Sequence, residues 1–244
     1  MSATIMITGA SSGIGKVTAE LFLQAGWSVG LMARRGEALE ALAGEYGAAA
    51  VALPGDVTVP GEVDAAFGRL VGKTGRLDVL FNNAGTFGQA GLIDEIPLET
   101  WYDVVNVNLN GMFLAARAAF RQMRAQAPQG GRIINNGSIS AYVPREGSIC
   151  YTSTKHAITG MTRTLSLDGR AFDIACGQID IGNARTPMVK ELAERAVAAG
   201  GAAPETMDVR HAAEAVKHMA DLPLSANVQF MTVMATKMPY IGRG

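Results

Sequence analysis

The chain has 244 residues, of which 48% are hydrophobic and 18% are charged, and its formal net charge is −1. This balance excludes a disordered chain, and the lack of a basic excess argues against a nucleic-acid partner. Two cysteines do not make a disulfide framework, and no apolar run reaches the ~20 residues that a membrane-spanning helix needs.

The first apolar run covers residues 4–8, close to the N-terminus. It lacks the basic start, the long apolar stretch and the cleavage site of a signal peptide. We therefore predict a cytoplasmic protein with no membrane segment.

Seven short apolar runs alternate with helix-like segments along the chain. They cover residues 4–8, 27–33, 49–53, 77–82, 131–136, 173–180 and 227–233. The first three carry apolar residues at consecutive positions, as strands buried on both faces do. The alternation predicts an α/β fold, a Rossmann-like doubly wound parallel sheet of about seven strands with helices on both faces. We interpret residues 1–244 as a single domain, since no linker or repeat interrupts them.

A glycine-rich turn follows the first predicted strand, where residues 8–15 read TGASSGIG. Such a turn lets the backbone approach a pyrophosphate, and the following helix offers free N–H groups and a positive dipole end. The spacing is GxxxGxG rather than the generic GxGxxG, and a tight turn whose glycines serve only packing is the alternative. The predicted cofactor-binding residues of the turn are Gly9, Ser11, Ser12, Gly13, Ile14 and Gly15.

The end of the second predicted strand carries Arg34 and Arg35. Folds that bind NAD usually place an acid there for the ribose 2′-hydroxyl, and this chain has none at that point. A guanidinium group instead suits the 2′-phosphate of NADP. The pattern predicts NADP, with NADPH preferred over NADH, although a solvated basic pair at a strand end is the alternative.

Tyr151 and Lys155 lie four residues apart at the start of a helix-like segment, so they share one helix face. A nearby ammonium group favours the phenolate and lowers a tyrosine pKa from its ordinary value of ~10. The pair therefore predicts an acid/base group that works near neutral pH. By itself, a YxxxK pattern is common and weak.

Three further motifs accompany this pair. Residues 82–85 read NNAG, Asn108 lies in the segment VNLNG, and Ser138 precedes Tyr151 by 13 residues. With TGxxxGxG and YxxxK, they stand in the order and spacing of the short-chain dehydrogenase/reductase family. The chain resembles this family over essentially its whole length.

The resemblance implies a role for each of four catalytic residues. Tyr151 would donate the proton in ketone reduction or accept it in alcohol oxidation. Lys155 would bind the nicotinamide ribose and lower the pKa of Tyr151. Ser138 would hold the substrate oxygen, and Asn108 would fix a water molecule that links Lys155 to solvent.

The resemblance also implies further cofactor contacts, beside those of Tyr151 and Lys155. These involve Asp56 and Val57 at the adenine, Asn83, Ala84 and Gly85 on the adenosine side, and Gly182 and Thr186 near the nicotinamide. Simple turn roles are the alternative for Asp56 and Asn83. The chain departs from the family pattern at Ile181, where a proline is usual, and in the tail 231–244, which lacks the usual Gly-Gly ending.

These observations predict an oxidoreductase that transfers a hydride between NADP(H) and a small carbonyl or alcohol substrate, with no metal. The alternative is a non-catalytic NAD(P)-binding regulatory module. Such a module would need no Ser138, Tyr151 or Lys155, and all three are present. Arg145 is a candidate for binding a substrate carboxylate, with a solvated loop arginine as the alternative.

Two expectations concern the rest of the chain. Helix-like segments at 188–199 and 208–222 flank a stretch rich in Gly, Ala and Pro, so residues 187–204 form either a substrate flap or a surface connection. Helices predicted at 101–126 and 151–170 match those that join subunits in the family, which implies a homodimer or homotetramer. They carry small residues that permit close approach, namely Ala115, Ala116, Ala118, Ala119, Ala157 and Gly160.

Overall fold

A computed structural model describes residues 2–198 and 200–241, except for the side chain of Arg195. The strands are β1 Thr4–Thr8, β2 Ser28–Ala33, β3 Ala50–Pro54, β4 Val79–Asn82, β5 Gly131–Asn136, β6 Ile174–Ile181 and β7 Phe230–Val233. The helices are α1 Gly13–Gln24, α2 Gly36–Tyr46, α3 Pro60–Thr74, α4 Leu98–Val105, α5 Met112–Ala125, α6 Ile149–Asp168, α7 Pro187–Ala198 and α8 Val209–Asp221. Ala199, which ends a predicted helix, and residues 242–244 of the tail lie outside the described residues.

The seven strands form one sheet in the order β3-β2-β1-β4-β5-β6-β7. Every neighbouring pair is parallel, which confirms the predicted doubly wound sheet. The chain moves outward from β1 to β3 and then returns to place β4 on the other side of β1. The carboxyl ends of β1 and β4 therefore flank the topological switch point, where ligands bind in folds of this type.

Helices cover both faces of the sheet. On one face, Phe22 of α1, Leu39 of α2 and Val216 of α8 pack with apolar residues of β1 and β2. On the other face, Phe67 of α3 and Met123 of α5 pack against β4 and β5. Two separate apolar cores result, and the sheet between them holds the strand ends in place.

The helix predicted at 101–126 is divided in the structure. α4 and α5 are joined by a π-helical turn, Asn106–Gly111, which contains the buried Asn108. The Asn108 side chain accepts a hydrogen bond from Thr86 N and donates one to Thr86 O, both at 2.8 Å. Wide turns of this kind often occur at functional sites. Sequence periodicity missed the division because the helix axis continues through it.

Four alanines of this region do not lie where we expected. Ala115, Ala116, Ala118 and Ala119 are buried in the protein's own core rather than exposed for contact between subunits. The exposed apolar side chains on α4 and α5 are instead larger ones, including Tyr102 and Phe113. Gly160 on α6 is exposed, and a Cβ there would meet nothing within 4 Å.

The described part of the C-terminal tail packs on the protein itself. Ala235 and Met238 are buried in a small cluster with Ile139, which follows Ser138. A Cβ at Gly182 would lie 3.0 Å from Met238 Sδ, so the tail also contacts the loop after β6. None of the described helices combines the length and apolar character needed to cross a membrane.

Candidate active site

The glycine-rich turn leads from β1 into α1, which begins at Gly13. Gly9 and Gly13 have φ angles of 69° and 55°, a region that L side chains rarely adopt. A Cβ at Gly15 would collide with the carbonyl oxygen of Gly9, so this turn closes only without a side chain there. Within the described chain, the side chain of the N-cap residue Ser12 makes no capping hydrogen bond. The first N–H groups of α1 therefore remain available to an anion.

Arg34 and Arg35 are exposed at the end of β2 and border the same cleft as the turn. Arg35 Nε and Nη2 donate to Ser11 Oγ at 3.2 and 3.0 Å. Asp56 borders this end too, and its Oδ1 accepts from Thr58 N at 2.9 Å and from Thr58 Oγ1 at 2.8 Å. Asp56 is thus a turn carboxylate as well as a cleft residue.

Side chains tie the ends of three strands together at the switch point. Asn83 Nδ2 donates to Thr8 O at 2.9 Å, and Thr8 Oγ1 accepts from Asn83 N and Ala84 N. Asn136 Nδ2, at the end of β5, donates to Asn83 Oδ1 at 2.9 Å. Asn136 Oδ1 is buried and has no partner among the described residues. Sequence reasoning missed Asn136, although an asparagine ending a buried strand is a signal for such a contact.

Tyr151 and Lys155 lie in the first turns of α6, with Lys155 Nζ 5.4 Å from the centre of the Tyr151 ring. Lys155 is buried and donates to Asn136 O at 2.7 Å. Ser138 lines the cleft beside Tyr151, and its side chain favours the phenolate form of Tyr151 and so lowers the pKa of that tyrosine. The side-chain amide of Asn108 donates to Oγ1 of Thr154, the residue before Lys155, at 3.2 Å. The structure therefore brings the four predicted catalytic residues into one region.

The electrostatics of the pair differ from our expectation. Burial raises the pKa of Tyr151 above its ordinary value, while the Ser138 side chain and the charge of Arg145 oppose this shift. Burial lowers the pKa of Lys155 to about 8, against the attraction of Asp180. The expected lowering of the Tyr151 pKa is wrong, because desolvation of the phenolate outweighs the nearby charges.

Asp180 is a site residue that the sequence analysis missed. It is fully buried in β6, where its Oδ1 accepts from Ser138 N and Gln178 Nε2, both at 2.8 Å. The hydroxyl of Tyr142 donates to Asp180 Oδ2 at 3.1 Å. Burial raises the pKa of this carboxyl, and these three hydrogen bonds oppose the shift. An acid within an apolar strand was the available signal.

Asn136, Ser138, Tyr151 and Lys155 border one cleft of about 520 Å³ together with the glycine-rich turn, whereas Asn108 and Asp180 are not part of its described lining. Every predicted cofactor-binding residue lines it except Gly15, which lies behind the turn. Thr186 and Gly182 line it after β6. Ile181, in place of the family's proline, continues β6 by pairing with Val233. The lining also includes Phe87 and Asn183, which sequence reasoning did not select, and Pro187, Met188, Val189 and Leu192 of α7, which lie in the predicted flap segment.

The decisive comparison concerns the family. A family model described as short chain dehydrogenase matches residues 3–197. The chain belongs to the short-chain dehydrogenase/reductase family.

Individual relatives agree with this membership of the short-chain dehydrogenase/reductase family. The chain is 31% identical over 189 residues to a 3β-hydroxysteroid dehydrogenase of Mediterraneibacter gnavus, covering 76% of this chain and 67% of that protein. It is 33% identical over 192 residues to a cyclohexanol dehydrogenase of an Acinetobacter species, covering 78% and 76%. A 3-ketoacyl-(acyl-carrier-protein) reductase of Brucella melitensis, solved with NADH, superposes with a TM-score of 0.85 at 26% identity and covers 96% and 97%.

As a member of this family, the chain is an oxidoreductase that uses a nicotinamide cofactor and acts on a small molecule. The cleft of this short-chain dehydrogenase/reductase fits such a cofactor on three observations. The free N-terminus of α1 suits a pyrophosphate, the tight Gly9–Gly15 contact lets the backbone approach it, and the unpartnered Asn136 Oδ1 suits a ribose hydroxyl donor.

Proposed function

We propose that this chain is an NADP(H)-dependent carbonyl reductase or alcohol dehydrogenase in which Tyr151 is the general acid/base. The proposal depends chiefly on one observation: Tyr151, Ser138 and Lys155 line the same cleft as the glycine-rich turn. A carbonyl compound placed in that cleft would meet the hydroxyl groups of both Ser138 and Tyr151.

In this mechanism, the bound nicotinamide supplies or accepts the hydride. Ser138 orients the substrate oxygen, and Tyr151 donates its phenolic proton to that oxygen in the reductive direction. The buried Lys155 binds the nicotinamide ribose, and its ammonium favours the phenolate that remains. Asp180 holds the backbone N–H of Ser138 and thereby fixes the position of the serine relative to Tyr151.

The competing function is a regulatory module that binds NAD(P) without turnover. The same residues argue against it, because binding alone has no use for a serine and a tyrosine in one cleft beside a buried lysine. The deciding experiment is an NADPH consumption assay against a panel of ketones, oxo acids, oxo esters and sugars. Turnover of any of them supports the enzyme, and tight NADPH binding without turnover supports the module.

The preference for NADP is part of the proposal, and the exposed Arg34 and Arg35 beside Ser11 support it. Each charge-assisted hydrogen bond to a phosphate contributes about 1.5–3 kcal/mol. We therefore expect Arg34→Ala to raise the NADPH dissociation constant at least about tenfold and to leave that of NADH nearly unchanged. Fluorescence titration of both cofactors measures this.

The matched control is Lys16→Ala, which removes an exposed cation of α1 that pairs with Glu20 and does not line the cleft. Its NADPH affinity should stay close to that of the wild type. Equal affinities of the wild type for NADH and NADPH would refute the preference.

We further infer a homodimer or homotetramer. Exposed Tyr102 and Phe113 on α4 and α5, together with the open surface at Gly160 on α6, support contact between copies. Light scattering at micromolar concentration should give a mass of two or four chains, and Phe113→Arg should lower it. Leu224→Arg is the control, since Leu224 is exposed outside these helices and the mass should not change. A monomeric wild type contradicts the inference.

Two smaller proposals complete the description. We propose that residues 1–244 form a single domain. We also propose that residues 187–204 act as a substrate flap, which is supported by Met188, Val189 and Leu192 of α7 because they line the cleft. An ordinary surface connection is the alternative. The cytoplasmic location stays a prediction, which cell fractionation tests.

A further inference from the structure

Arg145 lies in the turn that precedes α6, where it is half-buried and lines the cleft beside Ser138 and Tyr151. The charged residues among the described lining fall into two groups. Arg34, Arg35 and Asp56 lie at the ends of β2 and β3, whereas Arg145 and Lys155 lie at the catalytic end. The described lining of the catalytic end therefore carries positive charge alone. The nearby carboxylate of Asp180 is fully buried and does not line the cleft.

A buried side chain holds the guanidinium in place. Arg145 Nη2 donates to Asn183 Oδ1 at 2.7 Å. Asn183 is only 8% exposed, and it is fixed in turn because its Nδ2 donates to Glu205 O and its carbonyl accepts from Met207 N. An arginine oriented in this way binds a planar anion with a smaller loss of side-chain entropy than a freely moving one.

The charge of Arg145 acts at the proposed reacting centre. It lowers the pKa of Tyr151, against the larger opposite effect of burial. The guanidinium is therefore within electrostatic reach of the hydroxyl that would contact the substrate oxygen. A negative group a few bonds away from the substrate carbonyl would meet this cation.

Apolar side chains form part of the wall at this end. Phe87 packs on the Tyr151 ring with 5.1 Å between the ring centres, and Met188 and Leu192 of α7 face the same cleft. A hydrocarbon body fits such walls, and a negative group on that body would be attracted by the positive lining that Arg145 and Lys155 provide. A substrate with an apolar body and a negative group therefore fits the catalytic end of the cleft better than a neutral substrate does.

Resting on the proposed function, we propose that the substrate is an oxo acid, or the corresponding hydroxy acid, whose carboxylate binds Arg145 while its carbonyl or hydroxyl oxygen meets Ser138 and Tyr151. Arg145 is then the residue that determines specificity for the anionic group. Asn183 is its positioning residue.

The test compares each oxo acid with its own methyl ester, which keeps the carbonyl and removes the charge. Wild type, Arg145→Gln and Arg145→Lys are assayed with 2-, 3- and 4-oxo acids and their esters, using NADPH. We expect the wild type to prefer the acid, and the acid-to-ester ratio of kcat/KM to fall at least about 30-fold in Arg145→Gln. Arg145→Lys should recover part of the ratio, since it keeps the charge and loses the planar fork.

The control is Arg210→Gln, an exposed cation on α8 that does not line the cleft and lies outside the proposed flap, and its ratio should equal that of the wild type. A wild type that uses acid and ester equally well overturns the proposal. The same holds if Arg145→Gln lowers both substrates by one common factor, because Arg145 would then act only through Tyr151.

A binding readout separates this proposal from the proposed function. Thermal shifts are measured for NADPH-saturated wild type and Arg145→Gln with hydroxy acids and their esters. Stabilisation by the acid that depends on Arg145, without turnover of any carbonyl compound, supports the anion site and refutes the reductase. No stabilisation by any acid, together with turnover of neutral carbonyl compounds, refutes the anion site and leaves the reductase standing.

Discussion

Tyr151→Phe is expected to lower kcat by about 10²–10⁴-fold, the usual loss when a general acid/base is removed. The substitution deletes one hydroxyl group and keeps the ring that packs on Phe87. Folding and NADPH binding should therefore persist. No other hydroxyl in the proposed mechanism can take over, because Ser138 has an alcohol pKa far too high to exchange a proton near neutral pH.

The measurements are NADPH binding by fluorescence and turnover on any accepted carbonyl compound. Tyr142→Phe is the matched control: it removes the same atom from a tyrosine that bonds to Asp180 and does not line the cleft. Loss of that one hydrogen bond should cost no more than about tenfold. Ser138→Ala should lower the rate with a smaller effect on cofactor affinity, since its proposed task is to orient the substrate. Full activity of Tyr151→Phe would refute the mechanism.

Lys155→Ala is expected to weaken NADPH binding and to lower turnover by at least about 10²-fold. Lys155 has a pKa of about 8, so its ammonium is present below that pH and is lost as the pH rises through it. Burial of Lys155 opposes the charged ammonium and lowers its pKa, whereas the negative charge of Asp180 favours the ammonium. The wild-type rate should therefore fall on the alkaline side near pH 8.

Removing Lys155 should remove that limb of the pH profile. The remaining alkaline limb would belong to Tyr151, whose pKa is raised by burial, and it should lie at higher pH on a lower plateau. The profile of kcat/KM in the reductive direction measures both effects. Lys16→Ala, which removes an exposed cation of α1 that does not line the cleft, should keep the wild-type profile. An unchanged alkaline limb in Lys155→Ala would show that another group controls it.

Most of the sheet could be predicted from local pattern. The seven apolar runs correspond to the seven strands, and their ends shift by no more than three residues in the structure. Residue 77 was predicted to begin β4, which starts at Val79, and residue 227 was predicted to begin β7, which starts at Phe230. Such shifts arise because a strand ends where its pairing partner ends, and apolar composition alone does not reveal the partner.

By itself, the sequence determined the order of elements, the glycine-rich turn and the spacing of the motifs, since each depends on neighbouring residues. Only the tertiary structure decided which distant side chains meet. Asp180 contacts Ser138 across 42 positions, and Arg145 contacts Asn183 across 38. These contacts exist because a parallel sheet gathers the carboxyl ends of its strands along one edge, however far apart they lie in the chain. The desolvation that raises the pKa of Tyr151 likewise comes from residues packed around it, and no local spacing encodes that burial.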